Sequence, residues 1–489
     1  MRLLLALIAL LFATPAAAQQ EFASTHRLGT FAYRAVAGET WVRGLDGSPQ
    51  ASIFSTSYLR EGVPDPAARP VIFAFNGGPG SASFWLDMGL AGPRRVVLPA
   101  DVRNVGAGTV RIVDNEYSPL DAADVVMIDP VGTGFSRAVG GHADKEFWGI
   151  AEDAELLANF VRQWLTAHHR WASPKYLLGE SYGGTRAAAM TRALAQEERG
   201  QVALKGLILL APAFDFQMLR TAAQYPLVSV GFLPSYAAVA WYHHRIPAAP
   251  PLETLLEQAR AFAVDEYLPA LVKAKRLPAA EHDRIRKRLA WFTGLSEAWL
   301  EGQDLQVDPF RFMKEVLRDR GLTVGRLDGR YTGADFDTGG ERPDYDASQA
   351  GYGAAFNAAV MAHLGELGVK MDVPYLALNR SGVKPSWKWT QPDALRWASG
   401  MNPEWPVHLN LAPMIGDEMR RNPDFRVLLA MGYFDLAVPF FTAENSMYQA
   451  GMMPDRVTFA YFPTGHMIYV DPPSLARLSA QIRAFVTAP

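Results

Sequence analysis

The chain has 489 residues, 49% of them hydrophobic and 20% charged, with a formal net charge of −3 and no cysteine. This balance is that of a globular enzyme-sized protein, and an isoelectric point near 6.4 excludes the basic footprint of a nucleic-acid binder. Length alone suggests two or three domains, and without disulfides the fold must rest on its core.

At the start, Met1-Arg2 precedes the apolar run Leu3–Phe12, and Thr14-Pro15-Ala16-Ala17-Ala18 supplies small residues for cleavage. The run is too short and wrongly flanked for a membrane span, so it predicts a secretory signal peptide cut after Ala18. Export to the periplasm or the extracellular space follows, and such a signal on a cysteine-free chain fits a bacterial envelope protein. Loss of Arg2 takes the net charge from −3 to −4. No other stretch is long and apolar enough to cross a bilayer. Residues 21–70 read as antiparallel strands joined by turns such as Leu45-Asp46-Gly47.

Pro70–Phe75 reads as a strand running into Asn76-Gly77-Gly78-Pro79-Gly80. Glu146–His169 is predicted as an amphipathic helix, with Ile150, Ala154, Leu157, Val161, Trp164 and Leu165 on one face. It leads into the strand Lys175–Leu178, then Gly179-Glu180-Ser181-Tyr182-Gly183, then a helix start at Gly184–Met190. Another strand, Leu204–Leu210, closes the first part of a core. From 215 to 421 the helical patterns Leu252–Val264 and His282–Phe292 show no βαβ rhythm, which predicts a mainly helical lid insertion. The core resumes at 422, with a strand at Arg426–Met431 leading to Gly432-Tyr433-Phe434-Asp435. A helix near Phe441–Ala450 follows, then a strand at Arg456–Phe462 leading to Pro463-Thr464-Gly465-His466-Met467. Leu475, Leu478, Ile482 and Phe485 stripe a C-terminal helix. The expected division is thus a signal peptide at 1–18, core at 19–214, lid at 215–421 and core at 422–489, with no internal repeats.

Strand, sharp turn, helix is the setting in which G-x-S-x-G becomes a nucleophile elbow. The motif alone also arises as a plain glycine-rich turn; its company decides the reading. A serine nucleophile needs a base, an orienting acid and an oxyanion hole. Asp435 and His466 each follow the carboxyl end of a strand, in the order Ser, Asp, His. Ser181, Asp435 and His466 are therefore the expected triad. The glycine pair after Asn76 lets backbone N–H groups face a reacting carbonyl, so Gly78 and Tyr182 are the expected oxyanion donors.

Asn76–Gly80, the Asp129–Ser136 block (with Val131-Gly132-Thr133-Gly134-Phe135), Gly179–Gly183, Gly432–Asp435 and Gly465-His466 together resemble the serine carboxypeptidases. The blocks stand in that family's order from about residue 70 to the C-terminus. The resemblance implies an α/β-hydrolase fold, with a mostly parallel central sheet and helices on both faces. It implies an enzyme that removes the C-terminal residue of a peptide with a free C-terminus through an acyl-enzyme. It also implies that Asn76 and Glu180 bind the substrate's terminal carboxylate. Three positions depart from the family. The second carboxylate-binding Glu is replaced by Leu90, with Asp87 three residues earlier as the acid that could stand in. The Asp129-Pro130-Val131 junction lacks a polar residue that is frequent in the family, and Ser81 stands where a Cys is usual.

An esterase or acyltransferase on the same scaffold remains an alternative, favoured by Leu90, as does a non-catalytic envelope binding protein. No cofactor or metal is expected. The pairs His168-His169 and His243-His244 point apart on a helix, and Asp335, Asp337, Asp344 and Asp346 fail the EF-hand spacing. Arg284–Arg288 reads as a solvated helix face.

Overall fold

The computed structural model describes residues 19–99, 110–219, 225–390 and 408–488. The signal peptide expected over 1–18 lies outside them. Ten strands form the main sheet among the described residues: β1 (Glu21–Leu28), β2 (Phe31–Arg43), β3 (Pro49–Arg60), β4 (Val71–Phe75), β5 (Asp124–Ile128), β6 (Arg137–Ala138), β7 (Lys175–Glu180), β8 (Gly206–Leu210), β9 (Arg426–Gly432) and β10 (Val457–Phe462). Their order is β1-β2-β3-β5-β4-β7-β8-β9-β10, with β6 beside β3. From β5 to β10 the neighbours run parallel. β1, β2, β3 and β5 pair antiparallel, as expected of residues 21–70. The outcome is an α/β-hydrolase sheet.

The composition of the central strands explains their place. Val71-Ile72-Phe73-Ala74-Phe75 and Gly206-Leu207-Ile208-Leu209-Leu210 are buried throughout, as strands covered on both faces must be. Alternation then divides them. Phe73, Phe75, Leu177, Leu207, Leu209, Val427 and Leu429 point into one core, and Ile72, Ala74, Leu178, Ile208, Leu428 and Ala430 into the other. The first core is closed by helices including Ile150–Ala167 and Tyr182–Leu194, the second by the C-terminal helix Pro472–Thr487 and by Ala347–Glu366.

The helix predicted over 146–169 is shorter in fact. Asp144–Phe147 is a separate 3₁₀ turn, and Gly149, extended at φ −174°, starts the helix proper at Ile150. Its first-turn acids Glu152 and Asp153 suit the positive end of the helix.

Between β8 and β9 the chain forms helices including Pro226–Tyr242, Leu252–Phe262, Ala279–Thr293 and Ala347–Glu366, plus a hairpin of Leu322–Val324 with Thr332–Ala334. The helix Ala412–Arg421 packs against Tyr182–Leu194, beside the sheet. No helix among the described residues is long and apolar enough to cross a membrane.

Candidate active site

Ser181 stands between the end of β7 and the helix Tyr182–Leu194 with φ 62° and ψ −124°, a region that L residues occupy only under strain. Its N–H donates to Leu210 O (2.9 Å) and its carbonyl accepts from Gly184 and Ala213, so backbone on three sides fixes the turn. Gly179 is obligatory here: a Cβ on it would lie 2.3 Å from Gly183 O. This is the physical content of the G-x-S-x-G spacing.

Asp435 follows β9 and is fully buried. Its Oδ1 accepts the N–H groups of Ala437 (2.7 Å) and Val438 (3.0 Å), and its Oδ2 meets His466 Nδ1 at 2.6 Å. Burial alone would depress the His466 pKa, but the Asp435 charge and hydrogen bond, helped by Glu180, leave it above its ordinary value. His466 and Ser181 line one cavity. No hydrogen bond joins them among the described residues, and substrate-free geometry of this kind does not argue against the pair.

After β4, Gly78 takes φ +111°, open only to glycine. It lines the same cavity as Ser181. The Tyr182 N–H is the first of its helix and so has no intrahelical acceptor. The loop is pinned from below: Ser83 N–H donates to Asp129 Oδ1 (2.8 Å), Ser83 Oγ donates to Ile128 O, and Asn76 N–H donates to Ser83 Oγ (3.3 Å). Burial raises the Asp129 carboxyl to about 7. Arg186, on the elbow helix, ties in the same loop through Asn76 O (2.5 Å) while its Nε pairs with buried Asp153 (2.6 Å).

Asn76 and Glu180 come together. Asn76 Nδ2 donates to Glu180 Oε2 (3.1 Å), and the Asn76 amide is oriented by Leu86 N–H on its Oδ1 (3.0 Å). Tyr469 OH donates to the same Oε2 at 2.7 Å. Burial pushes the Glu180 carboxyl up to about 7, against the opposing pull of His466 and these two donors. With Oε2 doubly occupied, the proton of the neutral acid belongs on Oε1.

Asp87 does not join them. It lines no cavity at the site; its carboxylate accepts Tyr58 OH (2.9 and 3.1 Å), and Tyr58 also meets His363 (3.0 Å). The cause is local: residues 87–91 form a π-helical turn, so position 87 loses the α-helical register expected with 90. Leu90 is wholly buried in the second core. Among the acids of the Asp328–Asp346 segment, Asp335 pairs with buried Lys314, Asp344 accepts Phe336 and Asp337 N–H, and Asp346 caps the helix Ala347–Glu366.

Two cavities meet at Ser181. One, of about 290 Å³, is lined by Asn76, Glu180, Trp85 and His466 together with Arg326, Arg380 and Lys384 of the insertion. The other, about 790 Å³, is more apolar, with Tyr182, Phe216, Leu219, Tyr225, Trp389 and Leu409 in its wall.

The hairpin loop that carries Arg326 also braces the loops of Asp435 and His466. Leu436 N–H donates to Arg326 O, Gly329 N–H to Phe434 O, and His466 N–H to Leu327 O (2.6 Å). Asp328 accepts Gly465 N–H (3.2 Å) and pairs with Arg330, which reaches Pro463 O and Thr464 Oγ1. Sequence reading missed this brace and Tyr469. The turn-like Asp328-Gly329-Arg330 was its only local trace, and Tyr469 sits just three residues beyond His466. Opening a buried ion pair from one side costs about 3–5 kcal/mol. Asp328→Ala is therefore expected to lower Tm and, through the freed Gly465–His466 loop, to lower kcat more than it raises KM. Unchanged kcat in the folded fraction would show that the His466 loop stands without the brace.

Residues 51–244 match the sequence profile of peptidase S10, serine carboxypeptidase. Two Arabidopsis thaliana proteins are similar: serine carboxypeptidase-like 29, 27% identical over 36% of each chain, and serine carboxypeptidase-like 33, 29% identical over 31% of each. The match thus spans about a third of these relatives. Among solved structures, the prohormone-processing carboxypeptidase Kex1(Δ)p of Saccharomyces cerevisiae shares the fold at TM-score 0.54 and 16% identity, over 93% of this chain and 90% of that one. The chain has an α/β-hydrolase fold, and its residues 51–244 match the serine carboxypeptidase family's sequence pattern.

Proposed function

We propose that the protein is a serine carboxypeptidase that hydrolyses the C-terminal peptide bond of its substrate. Ser181 Oγ attacks the scissile carbonyl carbon while His466 Nε2 takes the hydroxyl proton; Asp435 holds the ring in the required tautomer. The N–H groups of Gly78 and Tyr182 receive the oxyanion. The C–N bond breaks as His466 returns its proton to the leaving amine, and the terminal amino acid departs. Water, deprotonated by His466, then resolves the acyl-enzyme. Residues 215–421 act as the lid over a core made of 19–214 and 422–489. The charged start and apolar run at residues 1–18 support export to the periplasm or beyond.

One observation carries this reading beyond a generic serine hydrolase. A carboxyl kept neutral up to about pH 7 sits one residue from the nucleophile, held by Asn76 and Tyr469. A neutral acid donates to a substrate carboxylate; an ionised one repels it. Below pH 7 Glu180 is protonated and the clamp is present; as pH rises through about 7 the clamp is lost. The expected result, for N-blocked dipeptides with a free C-terminus, is a KM that climbs about tenfold per pH unit above 7, while the matching amides show no such climb. Glu180→Gln, permanently neutral, should flatten the profile for the free acids.

Leu90, sealed in the core, leaves this clamp with one carboxyl rather than two and favours the esterase reading. That reading predicts cleavage of esters with indifference to the free carboxylate, and the same series of acids, amides and esters decides between them.

A further inference from the structure

Of the buried arginines and lysines among the described residues, Arg162 and Lys175 are held by backbone carbonyls and the remaining four by carboxylates. Arg170 pairs with Asp124, Arg186 with Asp153, Arg330 with Asp328 and Lys314 with Asp335. Even the exposed Arg284 and Arg288 share Glu266. Arg326 and Arg380, half-buried, and Lys384, exposed, make no ion pair among the described residues, although all three line the 290 Å³ cavity beside Ser181.

Arg326 comes from the bracing hairpin loop, Arg380 and Lys384 from the turn 380–386. Positions 380 and 384 are four apart and share a face, an arrangement that costs energy for like charges. Arg380 Nε is buried without a hydrogen-bond acceptor, and its NH1 has only a long contact to Gln349 (3.4 Å). The nearby carboxylate, Asp346, spends its Oδ1 on the N–H groups of Arg326, Ser348 and Gln349; its Oδ2 is buried without a hydrogen-bond partner, and it forms no ion pair with Arg380. Partial desolvation, then repulsion from Arg326, presses the Arg380 and Lys384 pKa values downward, with Asp346 opposing it at Arg380. A fold that crowds two further cations beside a half-buried guanidinium whose Nε lacks an acceptor is arranged for an added anion.

Resting on the carboxypeptidase reading, we infer that this cavity selects substrates whose C-terminal residue is acidic, its side-chain carboxylate lying among Arg326, Arg380 and Lys384. The α-carboxylate falls to Asn76 and Glu180 on the same wall. Charge supports the second carboxylate: one α-carboxylate cannot balance three cations. Arg326 and Lys384 also border the 790 Å³ cavity, whereas Arg380 lines the smaller one only, which places the focus of positive charge on the leaving-group side.

The test compares N-blocked dipeptides ending in Glu, Gln and Leu, all with a free α-carboxylate, so that only the side-chain charge varies. Hydrogen bonds to charged groups are worth about 1.5–3 kcal/mol, so kcat/KM for the Glu substrate should exceed that for Gln by roughly tenfold or more. Arg380→Met should bring that ratio close to one, Arg380→Lys should recover part of it, and Lys384→Met, at an exposed position that folding does not depend on, should lower it as well. A Glu/Gln ratio near one in the unmodified protein, or one that survives both methionine variants, overturns the inference and leaves the carboxypeptidase reading intact. A second readout needs no turnover: free glutamate should slow fluorophosphonate labelling of Ser181 more than glutamine does, and Arg380→Met should abolish the difference. If no dipeptide is cleaved but that protection holds, the peptidase reading fails while the acid-selective cavity stands. Equal protection by the two amino acids overturns the cavity.

Discussion

Ser181→Ala is expected to lower kcat by about 10⁶, the loss found when the nucleophile of such a triad is removed, and to abolish covalent labelling by a fluorophosphonate. What survives should be the 10³–10⁴-fold advantage over water that oxyanion stabilisation and binding supply on their own. The fold should not suffer. Ser181 Oγ makes no hydrogen bond within the described residues, so its loss strands no partner, and the backbone bonds that set the turn do not involve the side chain. The same geometry adds a stability readout. At φ 62° and ψ −124° any Cβ is strained, at a cost of order 1–3 kcal/mol. Ser181→Gly should therefore melt higher than Ser181→Ala although both are inactive. Full labelling of the alanine variant would remove Ser181 from the mechanism; a glycine variant that melts lower would mean the elbow stores no strain.

Much of this site was legible because its signals are local. Glycine at 179 is demanded by a 2.3 Å approach, positive φ at 78 by the loop, and a strand before each of Ser181, Asp435 and His466 by the sheet itself. Each leaves its mark within a few residues of the group it serves. The expected helix begins at Glu146, although its apolar stripe starts at Ile150; a single extended glycine, Gly149, sets the boundary there. Asp87, three residues before Leu90, does not stand in for the missing acid, because the turn at 87–91 is π-helical and Asp87 accepts Tyr58 OH instead.

The insertion was opaque for a different reason. Arg326, Arg380 and Lys384 lie far apart in sequence from Asn76 and Glu180, on short irregular segments whose periodicity carries no signal. Only tertiary placement makes them neighbours. The brace at 325–331 is similar, since most of its bonds to the Asp435 and His466 loops run through backbone groups, which any residue possesses. Such contacts cannot be read from residue types. They also mean that this loop of the insertion holds the Asp435 and His466 loops in place.

Asp435→Asn is expected to cost about 10⁴ in kcat with little change in KM, through the tautomer of His466 rather than through loss of a contact. The environment dictates how the new amide must sit. Ala437 and Val438 both offer N–H groups to Oδ1 at 2.7 and 3.0 Å, so an asparagine keeps its carbonyl there and turns its NH₂ toward His466 Nδ1. Nδ1 must then accept, the ring proton moves to Nε2, and the atom that should take the Ser181 proton no longer can. Charge acts in the same direction. Burial alone lowers the His466 pKa, and Asp435 is the main influence that overcomes it; without that carboxylate the imidazolium formed during acylation loses its principal counter-charge. Because size and hydrogen-bond count are nearly preserved in a fully buried position, Tm should fall far less than activity. Asp435→Ala, which leaves two N–H groups and a histidine unpaired, should instead lose both together. An asparagine variant retaining more than about a tenth of the activity would show that another group sets the His466 tautomer, and would withdraw Asp435 from the triad.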